Sequence, residues 1–394
     1  YEDYVARLQQ VPRVFDEVQA LMAKGLTKKL MPPKILLEKV GPQADKIIEG
    51  KPEDSPFGQP VQKFPDAVPE ADRARLRTAV LAAIKDRVYP AYAKFSAYVK
   101  TTYAPQGRPD PGLWSLPDGD ARYAALVKSS TTLDLTPEQI HQLGLREVAR
   151  IEGEMLGVAK KLGFNDLKSF NEAAQKNPAL HPKSRQEILD LYRKYTDQFE
   201  REMPKLFGRL PKAKLEILPT EEFREKEAAG AEYFQATPDG SRPGNVRVNT
   251  GDFANRLTLS IETTAYHEGI PGHHLQTSIA QELPSLPPFR QQGFNVAYVE
   301  GWALYSERLG RDVGFFKDPY SFFGHLQDEM LRAIRLVADT GFHYKRWTRQ
   351  QVVDFFHADS VIEEVEVQSS LQALDEAVGG GLLPRSLGDR GGRG

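Results

Sequence analysis

The chain has 394 residues, 40% hydrophobic and 27% charged, with 31 Gly, 28 Pro and no Cys. That length and composition belong to an ordinary globular protein with ample core, and a net charge of −2 with interspersed signs gives no footprint for nucleic acid or an anionic membrane surface. The missing cysteine excludes disulfides, thiolate nucleophiles and cysteine-bound metals, and no run of about 18 apolar residues is present to span a membrane.

The first stretch, YEDYVARLQQVPRVFDEVQALMAKG, reads as helix from Tyr1 onward. The expectation is that a preceding portion, including any targeting segment, has been removed, and an extracytoplasmic (periplasmic) location is compatible with that. PEADRARLRTAVLAAIKDRVYPAYAKFSAYVKTTY (69–103) has helical spacing, interrupted or kinked near Pro90. APQGRPDPGLWSLPDGD (104–120) is a structured loop or a boundary. TPEQIHQLGLREVARIEGEMLGVAKKLG opens with Thr136 as N-cap, Pro137 at the first helical position and Gln139 closing a capping box. Residues 183–207 and 321–348 also read as helix.

Strand signals are confined to KLEILP (214–219), AEYFQAT (231–237) and NVRVN (245–249). The expected fold is mainly α: a two-lobed helical body over 1–378 with a small antiparallel β-sheet. NVRVN is expected to be an edge strand beside the following helix, able to receive an extended peptide backbone. The tail 379–394, GGGLLPRSLGDRGGRG, holds seven glycines without apolar periodicity and is expected to be disordered.

HEGIPGHH (267–274) holds three of the eight histidines. In a straight helix the i+4 residue lies about 40° round the axis and about 6 Å along it, so two imidazoles can share an ion. Here that position is Pro271, and the histidines arrive at i+6 and i+7. Pro271 has no N–H for the His267 carbonyl and Gly272 tolerates a break, so a two-residue bulge would return His273 to the metal face and turn His274 elsewhere. The competing reading is a helix C-terminus ended by Pro-Gly and furnished with favourable histidines.

NVAYVEGWALYSERL (295–309) then offers Glu300 and Glu307 on one helical face. Two histidines and one glutamate are a common catalytic zinc set, leaving a fourth position for water. Solvated surface glutamates are the bland alternative, but Trp302, Leu304 and Tyr305 crowd them with apolar surface.

HEGIPGHHLQ followed by EGWALYSERL resembles the bacterial domain-of-unknown-function 885 family, and SPFGQP, GLWSLPDGDARY, RPGNVRVN and DTGFHYKRW extend the likeness over most of the chain. The resemblance implies a zinc metallopeptidase of the gluzincin kind, related in fold to thimet oligopeptidase and neurolysin. It implies His267, His273 and Glu300 as ligands of Zn2+, with His274 and Glu307 outside the ligand set. After VEVQS the likeness stops: a stretch rich in tyrosine and arginine is expected there, and SLQALDEAVGGG stands instead, which puts turnover in doubt.

In this reading Glu268 is the general base toward an activated water. His343, at i+4 from Asp339, is a candidate oxyanion donor, with Tyr298 and Tyr344 weaker ones. His141, His181, His325 and His357 are solitary and read as structural or surface residues. No GxSxG elbow or phosphate-binding glycine motif is present. The expected function is zinc-dependent hydrolysis of short peptides; the alternatives are a non-catalytic helical binding protein and a metal-dependent amidase acting on non-peptide substrates.

Overall fold

The computed structural model describes residues 1–225, 228–291, 293, 295–358 and 364–375. The tail 379–394 expected to be disordered lies outside the described residues. Contacts divide the described chain, within the span read above as one helical domain, into two compact units: Tyr1–Arg122, joined by Asp375, and Tyr123–Leu374.

The first unit contains α1 (Glu2–Thr27), α2 (Lys34–Ile48), α3 (Glu70–Ala83) and α4 (Tyr89–Tyr98). The sequence predicts an interruption near Pro90, and a π-helical turn, Ile84–Val88, stands there. The Tyr89 N–H reaches back to the Ile84 carbonyl, a wider ring that carries the helix past the residue lacking an N–H. Val80, Ile84 and Val88 from this segment pack with Leu8 of α1 and Val61 into one apolar core.

Helix α5 (Gly119–Thr131) leads into the second unit, where α6 (Pro137–Lys161) begins at Thr136. The expected capping box forms: Gln139 N–H donates to Thr136 Oγ1 at 3.2 Å and Thr136 N–H to Gln139 Oε1 at 2.8 Å. Then follow α7 (Leu167–Lys176), α8 (Arg185–Glu200), α9 (Met203–Leu206), β1 (Leu215–Pro219), β2 (Ala231–Phe234) and β3 (Gly244–Val248). The remainder is helical: α10 (Ile261–Glu268), α11 (His273–Gln281), α12 (Pro288–Gln291), α13 (Val296–Asp312), α14 (Pro319–His343), α15 (Arg349–Ala358) and α16 (Glu364–Asp375). Among the described residues no helix is long and apolar enough to cross a membrane.

The fold is mainly α with one small sheet, as the sequence predicts. The sheet is mixed, ordered β1-β3-β2, with β2 antiparallel and β1 parallel to β3. This corrects two details. The sheet is not wholly antiparallel, and NVRVN is the central strand, paired on both sides, so it has no free edge for a substrate. Its alternating pattern misled because Gly244, Asn245, Val246 and Val248 are buried alike, as suits a strand covered on both faces.

Helix α10 is placed by burial on nearly every side: Ile261, Thr263, Ala265, Tyr266 and His267 are all buried. Its one early charge, Glu262, accepts from the Tyr266 hydroxyl at 2.8 Å, the Phe316 N–H at 3.2 Å and the Ser321 hydroxyl. These bonds satisfy a carboxylate that would otherwise be costly to bury and tie α10 to the start of α14.

Candidate metal centre

The motif HEGIPGHH spans the end of α10, a four-residue linker and the start of α11. The helix stops at Glu268 and restarts at His273, with a cis Ile270–Pro271 peptide between. The Gly272 N–H donates to the Tyr266 carbonyl at 2.9 Å. In an unbroken helix that carbonyl would accept from residue 270, so two residues are inserted, as the sequence predicts. The insertion takes the form of a full break between two helices rather than a bulge inside one. Gly272 is required by close approach: a Cβ there would lie 1.9 Å from the His267 carbonyl oxygen and 2.4 Å from that of Tyr266.

The break brings His273 back to His267, with ring centroids 4.8 Å apart and planes nearly perpendicular. On α13, Asn295 caps the helix by accepting from the Tyr298 N–H at 3.1 Å, and Glu300 in the second turn reaches both imidazoles. His267 Nε2 lies 3.3 Å from Glu300 Oε2 and His273 Nε2 3.4 Å from Glu300 Oε1. One ligand atom from each of the three residues falls within 4.8 Å of the other two. His267, His273 and Glu300 are therefore brought together.

One turn pair further along α13, Glu307 is buried against the other side of His267, with His267 Nδ1 at 2.7 Å from Glu307 Oε1. The second Glu307 oxygen accepts from the Thr263 hydroxyl at 2.8 Å. A carboxylate holding Nδ1–H leaves the Nε2 lone pair of a neutral His267 facing Glu300. Glu300 Oε2 is buried and has no hydrogen-bond partner among the described residues. Two lone pairs at that separation need a positive charge between or on them. Either a proton on His267 or a cation in the cluster supplies it.

The charges agree. Burial alone would strip the proton from His267, but Glu300 and Glu307 outweigh it and raise its pKa to about 10. Burial would raise Glu300, yet the two imidazoles pull its pKa down to about 2. Arg332 of α14 feels Glu300, Glu307, Asp328 and Glu268 together. The donor set and the unpartnered Glu300 oxygen both fit a metal.

Glu268, the last residue of α10, has no hydrogen-bond or ion-pair partner among the described residues, and burial raises its pKa. His274 sits elsewhere. Its Nε2 lies 3.1 Å from the Ala213 carbonyl, which can only accept, so Nε2 carries the proton and Nδ1 accepts from the Tyr233 hydroxyl at 3.1 Å. With both nitrogens engaged, His274 fastens α11 to the sheet, and burial lowers its pKa to about 4. Gly244 of β3 leaves room for the ring, since a Cβ there would meet Nδ1 at 2.7 Å.

His343 is not part of this cluster. It lies eighteen residues after His325 on α14, five helical turns and about 27 Å further along. There it is fully buried and packs on Tyr123 and Phe342. Asp339, expected to orient it, accepts from the Tyr123 hydroxyl at 2.6 Å. The structure thus does not bring His343 together with His267, His273 and Glu300. Tyr298 and Tyr344 are 61% and 40% exposed. His325, read as solitary, is instead buried with Nδ1 3.2 Å from Thr263 Oγ1 and 3.8 Å from Glu307 Oε2. Sequence reasoning also missed Arg332, whose signal is Asp328 one turn before it, and Tyr192 of α8, whose hydroxyl feels the charge of Glu268.

Residues 1–372 match the family described as bacterial protein of unknown function (DUF885). The chain belongs to this family. No curated protein matches it. Among solved structures it is similar to that of a presumed lipoprotein from Colwellia psychrerythraea, at 29% identity and a TM-score of 0.88 over 95% of this chain and 65% of that one. The chain thus spans somewhat less than two thirds of that protein. It shares the fold of a presumed lipoprotein of unknown function from Shewanella oneidensis, at 17% identity and a TM-score of 0.67, covering 96% of this chain and 68% of the other.

Proposed function

We propose that this member of the DUF885 family is a zinc-dependent peptidase that hydrolyses short peptides, of the gluzincin kind that its two motifs resemble. The observation that carries the reading is the convergence of His267, His273 and Glu300 within 4.8 Å, beside Glu268, which has no hydrogen-bond or ion-pair partner among the described residues. Two imidazole nitrogens and one carboxylate suit zinc and leave a position for water. Zinc held there would polarise a substrate carbonyl and lower the pKa of water to about 7.

The chain's own residues carry the rest of the proposal. Glu268 accepts the proton of the attacking water at its carboxylate and returns it to the leaving amine. Glu307 keeps His267 in the Nδ1–H tautomer and fixes its ring. The substrate backbone adds to the outer edge of β2. The Asn249 N–H bonds the Gly230 carbonyl, so with Glu232↔Arg247 in register the alternation of an antiparallel ladder turns the backbone groups of Ala231 and Tyr233 outward. Tyr233 stacks at 6.4 Å on His273, which supports a substrate strand running beside that imidazole. An extracytoplasmic location is proposed on the likeness to the two presumed lipoproteins.

The test is metal content of the purified protein together with an assay on mixed short peptides. One zinc per chain and cleavage that a chelator removes and zinc restores are expected. Cleavage indifferent to chelation, or no bound zinc, overturns the reading. Zinc without cleavage of any peptide would favour a binding protein, and cleavage confined to non-peptide amides a different amidase.

A further inference from the structure

A line of buried polar contacts leaves the Nδ1 side of His267, crossing from α10 to α13, back to α10 and on to α14. His267 Nδ1 lies 2.7 Å from Glu307 Oε1, the Thr263 hydroxyl donates to Glu307 Oε2 at 2.8 Å, and Thr263 Oγ1 lies 3.2 Å from His325 Nδ1. Thr263, Glu307 and His325 are all buried. The Phe316 ring stacks on the His325 imidazole at 4.6 Å and 21°, which fixes the ring plane and with it the aim of Nδ1.

The hydrogens along this line can be placed. A hydroxyl has one hydrogen to give, and an ionised carboxylate only accepts, so the Thr263 hydrogen goes to Glu307. The Thr263 oxygen is then left as an acceptor, and His325 Nδ1 must be the donor to it. The next residue shows the usual alternative. The Thr264 hydroxyl donates back to the Ser260 carbonyl at 2.8 Å, a common fate of threonine in a helix. Nε2 of His325 is buried with no hydrogen-bond partner among the described residues. The contact with Thr263 is therefore the one side-chain hydrogen bond that His325 makes there, and an apolar ring would stack on Phe316 as well without it.

We propose that His325 is a positioning residue of the metal centre. Its Nδ1–H occupies the Thr263 oxygen and turns the hydroxyl hydrogen onto Glu307. That bond keeps the carboxylate seated against the His267 Nδ1–H, so that the opposite nitrogen of His267 is aimed at the cation. His325 acts through Thr263 and Glu307 and supplies no ligand itself. This role rests on the metal reading of the site proposed above, but its measure is affinity for the metal and not turnover.

Zinc alone is the probe, its affinity measured on the full chain by competition with a chromophoric chelator, with circular dichroism to check the fold. His325→Phe keeps a flat ring for Phe316 and loses the N–H, so zinc affinity should fall about tenfold, as for other outer partners of metal-bound histidines. Asparagine and glutamine separate position from polarity. The amide nitrogen of His325→Asn reaches where Nδ1 stands and should hold affinity within about twofold of the wild type. His325→Gln sets its nitrogen one bond further out and should lose as much as His325→Phe; should the latter not fold, this contrast decides alone. Thr263→Val breaks the same line, so adding His325→Phe to it should cost nothing more. Unchanged affinity in His325→Phe, an asparagine variant as weak as the glutamine one, or additive losses in the double variant would each overturn the proposal, while zinc on the wild type would leave the metal reading standing. A wild-type chain that takes up no zinc would sink both.

Discussion

His267 Nδ1 lies 2.7 Å from Glu307 Oε1, and both side chains are buried. Glu307 is itself held by the Thr263 hydroxyl, one turn before His267 on the same helix. This chain of contacts holds Nδ1–H and fixes the aim of the first imidazole. Glu307→Gln keeps an acceptor for Nδ1–H but loses the charge, so zinc affinity should fall about tenfold; Glu307→Ala should cost about a hundredfold. Competition against a chelator of known affinity measures both, and unchanged affinity in the alanine variant would refute the positioning role.

Glu268→Gln should retain zinc at one per chain and lose hydrolysis by about 10²–10⁴-fold, the usual contribution of a general base. The change removes a proton acceptor and no ligand. A variant that keeps wild-type turnover would remove Glu268 from the mechanism.

Much of this was legible in the residues. The capping box at Thr136, the spacing of Glu300 and Glu307 and the Pro-Gly break in HEGIPGHH are local, and each appears in the structure. What was not legible depends on partners distant in the chain. NVRVN became the central strand because KLEILP inserts parallel on its far side, a pairing across about thirty residues that no strand pattern encodes. His343 illustrates a different limit. Five turns separate it from His325, so the two share a helical face, but phase alone does not say which end of a 25-residue helix meets the site. Arg332 and Tyr192 carry no motif; they enter the cluster through packing of α14 and α8 on α10.

The neighbours His273 and His274 should behave oppositely. His273→Ala removes a ligand and should abolish stoichiometric zinc binding. His274→Ala removes bonds to Ala213 and Tyr233, so it should keep zinc and lose about 1–3 kcal/mol of stability from groups left unpaired. Metal analysis and urea denaturation separate the two. Zinc lost from the His274 variant but kept by the His273 variant would reverse the assignment.

Gly272→Ala should be among the most damaging single changes. Its Cβ would meet the His267 carbonyl oxygen at 1.9 Å, and that oxygen belongs to backbone that cannot swing away. The linker must shift, carrying His273 off the cluster, and a loss of several kcal/mol is expected for overpacking on this scale. Near-native zinc affinity and stability in Gly272→Ala would contradict the close approach on which the two-residue insertion depends.

A pH dependence should arise far from the metal, at His141 on α6. Its Nδ1 lies 2.8 Å from Thr340 Oγ1, and the Thr340 hydroxyl donates to the Leu336 carbonyl, so Nδ1 carries a proton. Burial lowers its pKa below the ordinary 6.5, and the Lys345 charge adds to this while Glu138 opposes it. Between the lowered folded value and 6.5 the unfolded chain therefore binds more protons. This contribution is fully present above about pH 6.5 and is lost as the pH falls toward the folded pKa. One extra proton sets a ceiling of about 1.4 kcal/mol per pH unit on the slope. His141→Asn keeps a donor near Thr340 but cannot titrate, so its urea stability should fall less than that of the wild type between pH 7.5 and 5.5. Parallel losses in the two proteins over that interval would show that His141 is not the group responsible.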